Sequence, residues 1–430
     1  MRGVCIRAFT PLRPSLCSHG SRAHVRVHST SRALPRLILG IESSCDDTGV
    51  GIVSPDGRIL GASLAGQAAI HAAWGGVVPN LAQEAHAAAM EGCIAEALDQ
   101  AGVRPQDLAA VAVTVGPGLS LCLKVGVRAA RQLAATHGLP LIPVHHMEAH
   151  ALMARMGSGV RFPYLCALVS GGHNLLTLVH DVGRYTLLGT SLDDAAGEAY
   201  DKVARMLGLP LLPSGGAAVE AAAARGDPAA FPFTVPMARQ ANCNFSFAGL
   251  KTAVRVAAGR HLPAEGQPLR GKVQDDLAAG FQRAAVRHLA DRTARAAQWA
   301  AASDPGVRHL VVSGGVAANA AVRAALSDVA ARAGLELVAP PPALCADNGV
   351  MVAWAAQEAV AAGAATLAAP PPAPVAERDW EDVKPRWPLT GERHPNMAAE
   401  AARSAKKQRI FPSLTQLVAE QAAMEAAQTP

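Results

Sequence analysis

A hairpin pattern that occurs twice constrains this chain more than any other feature. Leu37–Glu42 is a short apolar run closed by an acid, Ser43-Ser44-Cys45-Asp46-Asp47-Thr48 is a polar turn, and Gly49–Val53 is a second apolar run. Two β-rich runs around a compact polar turn predict a hairpin. The arrangement returns where Leu165–Ser170 leads through Gly171-Gly172-His173-Asn174 into Leu175–Val179. Each hairpin precedes strands alternating with Ala-rich helical stretches, which predicts an α/β unit. In the first unit Ala109–Val115 reads as a buried strand and Ser120–Thr136 as a helix; in the second, His309–Ser313 and Asn319–Ala333 repeat that pair. The expected fold is α/β, with two duplicated lobes and a cleft between them. Residues 37–160 form the first lobe, 161–345 the second and 346–389 a returning segment. Residues 390–430 are read as a loose tail of no assigned role, with a helix near Leu414–Ala427.

Half of the 430 residues are hydrophobic and 17% are charged, which excludes a disordered chain. No stretch of about 20 apolar residues is free of charges and of Gly/Pro breaks, so no membrane span is expected. The eight cysteines never form a C-x-x-C pair, which argues against a zinc ribbon or a disulfide scaffold. Charge is unevenly placed. Residues 1–36 carry seven arginines and several serines, and no acid precedes Glu42. That composition describes a mitochondrial transit peptide. Without it the formal charge of +5 loses seven and becomes −2, so nucleic-acid binding must come from a local basic groove. Lys124, Arg128 and Arg131 fall on one face of the predicted helix and offer one.

Several turns carry groups suited to chemistry. Asp46 and Asp47 sit with hydroxyls and Gly49 at a strand-turn-strand corner, which can hold phosphate or a metal-bound water. In His145-His146-Met147-Glu148-Ala149-His150, a helix places His146 and His150 at i and i+4, about 6 Å apart, where both imidazoles reach one ion. A zincin would need its glutamate directly after the first histidine; Glu148 comes one residue too late. Asp347, in a turn before the apolar helix Val350–Ala362, is the best third ligand; as an isolated residue it reads as a helix cap. Ser313-Gly314-Gly315 through Asn319 lies between strand and helix, where amides can cradle a phosphate, ribose or purine. Ser214-Gly215-Gly216 is a weaker version. Asp193–Lys202 reads as a helix with an acidic face on which Asp201 could bind hydroxyls. Phe245–Thr252 pairs aromatics with Lys251, either as packing or as a contact to an anionic ligand.

Taken in order, Leu39–Thr48, Gly75–Pro79, Gly116–Gly118, His145–His150, Leu168–His173, Asp193–Lys202, Phe245–Lys251, Ser313–Asn319, Cys345–Gly349 and Lys384–Leu389 resemble the tRNA threonylcarbamoyl transferase family, once labelled "glycoprotease". With its Arg-rich start the chain resembles the mitochondrial member. The resemblance implies the two-lobed actin/Hsp70/sugar-kinase fold. It also implies transfer of the threonylcarbamoyl group from L-threonylcarbamoyladenylate, made by a separate synthase, to N6 of adenosine 37 in tRNAs reading codons that start with A. One divalent ion, whether zinc, iron or magnesium, is implied on His146, His150 and Asp347. The adenylate is implied on Leu168, Val169, Ser170, Gly171, Gly172, Asp201, Gly216 and Asn319, with Ser313 and Gly314 beside it, and Asp46 and Asp47 orient the amine or take its proton. Two departures stand out: many relatives have Asp-Glu where this chain has Asp46-Asp47, and Pro-Gly-Gly-Pro where it has Ser214-Gly215-Gly216-Ala217. The expected location is the mitochondrial matrix, and a homodimer is left open. Two other classes compete. A kinase or ATPase of the same fold is disfavoured by the histidine pair, since Mg²⁺ prefers oxygen ligands. A metallopeptidase is disfavoured by the position of Glu148.

Overall fold

The computed structural model describes residues 36–72, 74–212, 214–262, 269–365 and 383–399. The expected transit peptide, apart from Arg36, and the helix expected at 414–427 lie outside them. The first half comprises β1 (Ile38–Glu42), β2 (Asp47–Val53), β3 (Ile59–Gly66), α1 (Ala68–Ala72), α2 (Pro79–Ala101), β4 (Ala110–Gly116), α3 (Ser120–His137), β5 (Leu141–His145) and α4 (His146–Met153). The second comprises β6 (Tyr164–Val169), β7 (Asn174–Asp181), β8 (Arg184–Thr190), α5 (Ala196–Leu207), α6 (Gly215–Ala223), α7 (Ala248–Gly259), α8 (Lys272–Ser303), β9 (His309–Ser313), α9 (Ala320–Arg332), β10 (Glu336–Val338) and α10 (Gly349–Ala361).

The duplication seen in the sequence is a duplication of topology. One sheet runs β3-β2-β1-β4-β5 and the other β8-β7-β6-β9-β10, so each has the order 3-2-1-4-5 within its own half. In both, the hairpin strands pair antiparallel and the remaining strands join parallel to the first. Every residue of β1, β4 and β6 is buried, as expected of central strands covered on both faces by helices. The edge strand β3 alternates exposed and covered positions instead.

After completing the second sheet the chain returns to the first. Helix α10 lies against β1 and β2 at backbone contact: a Cβ on Gly40 would sit 2.3 Å from the Ala353 nitrogen, and one on Gly349 2.3 Å from the Val50 carbonyl carbon. Val350–Ala356 thereby join Ile38, Ala112 and Val144 in one core. The last described segment touches both halves. The Lys384 amide donates to the Val115 carbonyl (2.7 Å), while further on the Leu187 amide donates to the Glu392 carbonyl (2.9 Å) and His394 stacks on Trp299 at 5.1 Å. The expectation of a loose tail from Thr390 is therefore corrected as far as residue 399: a parallel bridge at Leu187–Arg393 and a buried His394 hold it.

Candidate active site and metal centre

Ligands of open α/β sheets gather outside the carboxyl ends of the parallel strands, and the first sheet brings its polar groups to that edge. Strand β5 ends at His145, whose ring accepts the Met147 amide (3.1 Å) and caps α4. The helix starts at once, and its 3.6-residue turn puts His146 and His150 on one face with ring centroids 4.8 Å apart. Asp347 arrives from the turn before α10; its neighbour Asn348, rather than Asp347, caps that helix by accepting the Met351 amide (2.9 Å). Asp347 Oδ1 lies 3.0 Å from His150 Nε2 and 3.7 Å from His146 Nε2. One ligand atom from each of the three lies within 4.8 Å of the others, and both imidazoles are buried. Two buried imidazole nitrogens and a carboxylate oxygen converging in this way fit a divalent cation.

Charge in this pocket is tightly coupled. Burial pushes His146 down, but Glu42 and Asp347 prevail and lift it to about 9. Burial pushes Asp347 up, yet His146 and His150 hold it well below the carboxylate range. Asp47, half-buried at the start of β2, is raised to about 7 by burial and then by Asp46, Asp347 and Glu42. His173, from the β6–β7 turn, is lowered by burial and by His146, which brings the second lobe's turn within the field of the triad. Glu148 faces elsewhere: it accepts from the Tyr185 hydroxyl (2.6 Å) and the Gly183 amide (2.8 Å), as its spacing from His146 demands.

In the second sheet β6 and β9 end side by side, with Leu168 opposite Ser313. Ser170–Gly172 and Gly314 therefore share one rim. Gly314 has φ 97°, and a Cβ there would meet the Val169 carbonyl oxygen at 2.5 Å, so the close approach needs glycine. Leu168, Val169 and Ser313 are buried as whole residues, so they back the rim from beneath. Asp201 on α5 packs against the start of α6, where a Cβ on Gly215 would lie 2.6 Å from its Oδ1. Burial raises its carboxyl, the Gly216 amide opposes this, and Asp46 adds to the rise, so the two lobes' acids sense each other. Asn319 caps α9 through the Val322 amide (3.0 Å) and donates to Gln282 (3.1 Å). Gln282 and Arg283 line a cavity of about 220 Å³ with Ala223, Ala279, Val286 and Ala321.

Two expectations are corrected. Asp193 and Asp194 precede α5 and are not a solvated helix face: Asp193 Oδ1 accepts the Phe247 amide at the start of α7 (2.7 Å), and Asp194 pairs with Lys202 (3.1 Å). Lys251 is consumed by an ion pair with Asp194, and Phe245 and Phe247 are fully buried, so that stretch is packing. On α3, Lys124 and Arg128 are exposed and Arg131 is half-buried. Sequence reasoning missed Glu42, whose carboxylate lies 3.1 Å from His146 Nδ1. An acid closing an otherwise apolar strand was the one available signal for it.

The sequence matches the family described as tRNA N6-adenosine threonylcarbamoyltransferase over residues 58–354. The chain belongs to this family. A probable mitochondrial tRNA N6-adenosine threonylcarbamoyltransferase of Arabidopsis thaliana is 47% identical over 400 residues, covering 91% of this chain and 82% of its own length. A tRNA N6-adenosine threonylcarbamoyltransferase of Cereibacter sphaeroides (strain KD131) is 46% identical over 360 residues, 83% and 94% of the two chains. Among solved structures, HypF of T. kodakarensis shares the fold, with a TM-score of 0.50, 14% identity and coverage of 76% of this chain and 48% of that one. Membership makes the chain an acyltransferase acting in tRNA modification, the fold is two-lobed α/β, and the kinase and peptidase readings are not favoured. Among the described residues no helix is long and apolar enough to cross a membrane.

Proposed function

We propose that this cleft transfers the threonylcarbamoyl group of L-threonylcarbamoyladenylate to N6 of adenosine 37 in mitochondrial tRNAs that read codons starting with A, and that the residues above divide the work as follows. The second lobe holds the adenylate: the amides of Ser170–Gly172 and Gly314 face its phosphate, Asp201 and the Gly216 amide its ribose, and the cavity bounded by Gln282 and Arg283, next to Asn319, its adenine. The first lobe presents the reacting end. His146, His150 and Asp347 hold a divalent ion, which when bound supplies Lewis acidity toward a carbamoyl or phosphate oxygen. The adenosine amine is a weak nucleophile because its lone pair is delocalised into the ring. It attacks the carbamoyl carbon, the new N–C bond forms, the C–O bond to phosphate breaks, and its electron pair leaves with AMP. Asp46 orients the amine. Asp47, with a carboxyl near 7, is ionised in a large fraction of molecules at neutral pH and basic enough to take the N6 proton.

The observation that carries this reading is the convergence of two buried imidazoles and Asp347 beside that raised carboxylate. A mitochondrial matrix location is supported by the acid-free, Arg-rich residues 1–36 and by the designation of the Arabidopsis relative. The adenylate is then supplied by a separate synthase. The test is nucleoside mass analysis of an adenosine-37 tRNA incubated with the protein from Leu37 onward, the adenylate and a divalent metal. Threonylcarbamoyladenosine is expected, and is lost with Asp347→Ala. A folded, metal-loaded protein that forms none overturns the reading.

A further inference from the structure

We infer that Glu42 is a positioning residue for the metal centre: it locks His146 in the tautomer that carries its proton on Nδ1, so that Nε2 is free to bind the ion, and it thereby sets metal affinity. The inference rests on the assignment of His146, His150 and Asp347 as ligands. It adds a residue that touches neither metal nor substrate.

Glu42 closes β1 and is fully buried. Three different elements fix its carboxylate. Oε1 accepts the Ser44 amide at 2.6 Å, and Oε2 accepts the Thr114 hydroxyl of β4 at 2.6 Å. The same Oε2 lies 3.1 Å from His146 Nδ1. An ionised carboxylate can only accept, so Nδ1 must be the donor, and the proton the ring gives up to make way for an ion is the one on Nε2, the atom that faces Asp347. Both carboxylate oxygens are thus engaged in holding neighbouring groups. His150 supplies the contrast: its Nδ1 is buried and finds no hydrogen-bond partner among the described residues. Of the two imidazoles, only His146 is oriented from behind. A carboxylate in this position fixes ring orientation and raises ligand basicity, and its loss typically weakens metal binding by about 10–100-fold.

Glutamine at this position is more than a neutral isostere. The Ser44 amide can only donate, so the Gln carbonyl must take the place of Oε1, which puts the Gln NH₂ opposite His146 Nδ1. Facing that amide Nδ1 accepts, as it also can from the Ser44 hydroxyl at 3.2 Å, so the ring proton moves to Nε2 and the metal-facing atom is blocked. Glu42→Gln should therefore change both the tautomer and the affinity.

The experiment uses the full chain with Zn²⁺ as probe, in competition with a chromophoric chelator, and reads the thermal midpoint of the metal-free protein and its ring ¹⁵N shifts above pH 9, where His146 carries a single proton. Glu42→Gln is expected to weaken Zn²⁺ binding by about 10–100-fold and to exchange the Nδ1–H pattern of His146 for Nε2–H. Thr114→Val, which removes one donor and leaves the carboxylate, is expected to weaken it less and to keep the Nδ1–H pattern. Should Glu42→Gln fail to fold, Thr114→Val and the wild-type tautomer carry the test. Wild-type His146 protonated on Nε2 alone overturns the inference, as does a folded Glu42→Gln with wild-type affinity, or a lowered midpoint with affinity unchanged. No RNA or adenylate enters the measurement, so absent transferase activity bears on the proposed function and not on this. A wild type that binds no Zn²⁺ overturns the ligand set and Glu42's role together.

Discussion

Replacing His146 by alanine should destabilise the metal-free protein more than Asp347→Ala does, although both remove a proposed metal ligand. The difference lies in what each side chain leaves behind. Glu42 is fully buried, and among the described residues His146 is the one cationic group facing it; after His146→Ala the carboxylate keeps, of those partners, the Ser44 amide and the Thr114 hydroxyl. Breaking a buried pair by removing one partner costs about 3–5 kcal/mol, and the two surviving donors place this case near the lower end. Asp347 acts both ways: its removal costs its pairing with His146 and His150, which hold its carboxyl low, but it also relieves Glu42 of a like charge, which offsets part of that loss. The pH dependence follows. His146 is raised from 6.5 to about 9, so its contribution is complete below pH 6.5 and is lost as pH climbs through 9. Glu42 is pushed up by burial and pulled further down by His146, to below 4.5, so its share is present above pH 4.5 and fades in acid. The gap between wild type and His146→Ala is therefore widest between about pH 4.5 and 6.5, and its pH-dependent part is on the order of 3 kcal/mol at about 1.4 kcal/mol per unit. Urea unfolding of chelator-treated protein at pH 6.5 and pH 9 measures it. Equal stabilities for the two alanine variants at pH 6.5, or a gap that does not narrow at pH 9, would refute the argument.

Other consequences are more direct. If Asp47 is the base, transfer rises with pH as its carboxyl ionises around 7, and the rising limb disappears in Asp47→Asn; single-turnover rates across pH 5.5–8.5 decide, a limb that survives the substitution counting against Asp47. Arg283→Ala should raise the KM for the adenylate several-fold and leave its metal affinity alone, since Arg283 lines the cavity and is absent from the triad; an unchanged KM would move the adenine elsewhere. A reporter fused behind residues 1–36 should be imported into mitochondria, and a cytosolic signal would contradict the reading of that segment as a transit peptide.

How much of the site could be read in advance depended on the range of the contact. His146 and His150 share one helical turn, so their spacing alone put both rings on one face. The hairpins were equally legible, because turn and flanking strands are neighbours in the chain. Asp347 was a different case: its turn reads as an ordinary helix start, and only the return of α10 to the first sheet, through the backbone contact at Gly349 and Val50, carries it to the histidines. Asp193 was misread for the reverse reason, since the amide it caps lies 54 positions away at Phe247.

Glu42 shows the limit most clearly. A strand period of two fixes which face a side chain points to, but not which strand lies alongside. Glu42 meets Thr114 because β4, 72 positions later, pairs parallel to β1, and it meets His146 because β5 in turn delivers the start of α4 to the same edge. Each step follows from the strand order 3-2-1-4-5, and none is encoded near residue 42. The second lobe tests this account. Strands β6 and β9 there stand as β1 and β4 do, with Ser170 and Ser313 at the rim where the first lobe has Glu42 and Thr114. The repeated topology thus gathers His146, His150 and Asp347 at one copy, where a buried acid backs a histidine. In the other it carries a Gly-rich rim, and the difference is made by a few side chains at the carboxyl ends of equivalent strands.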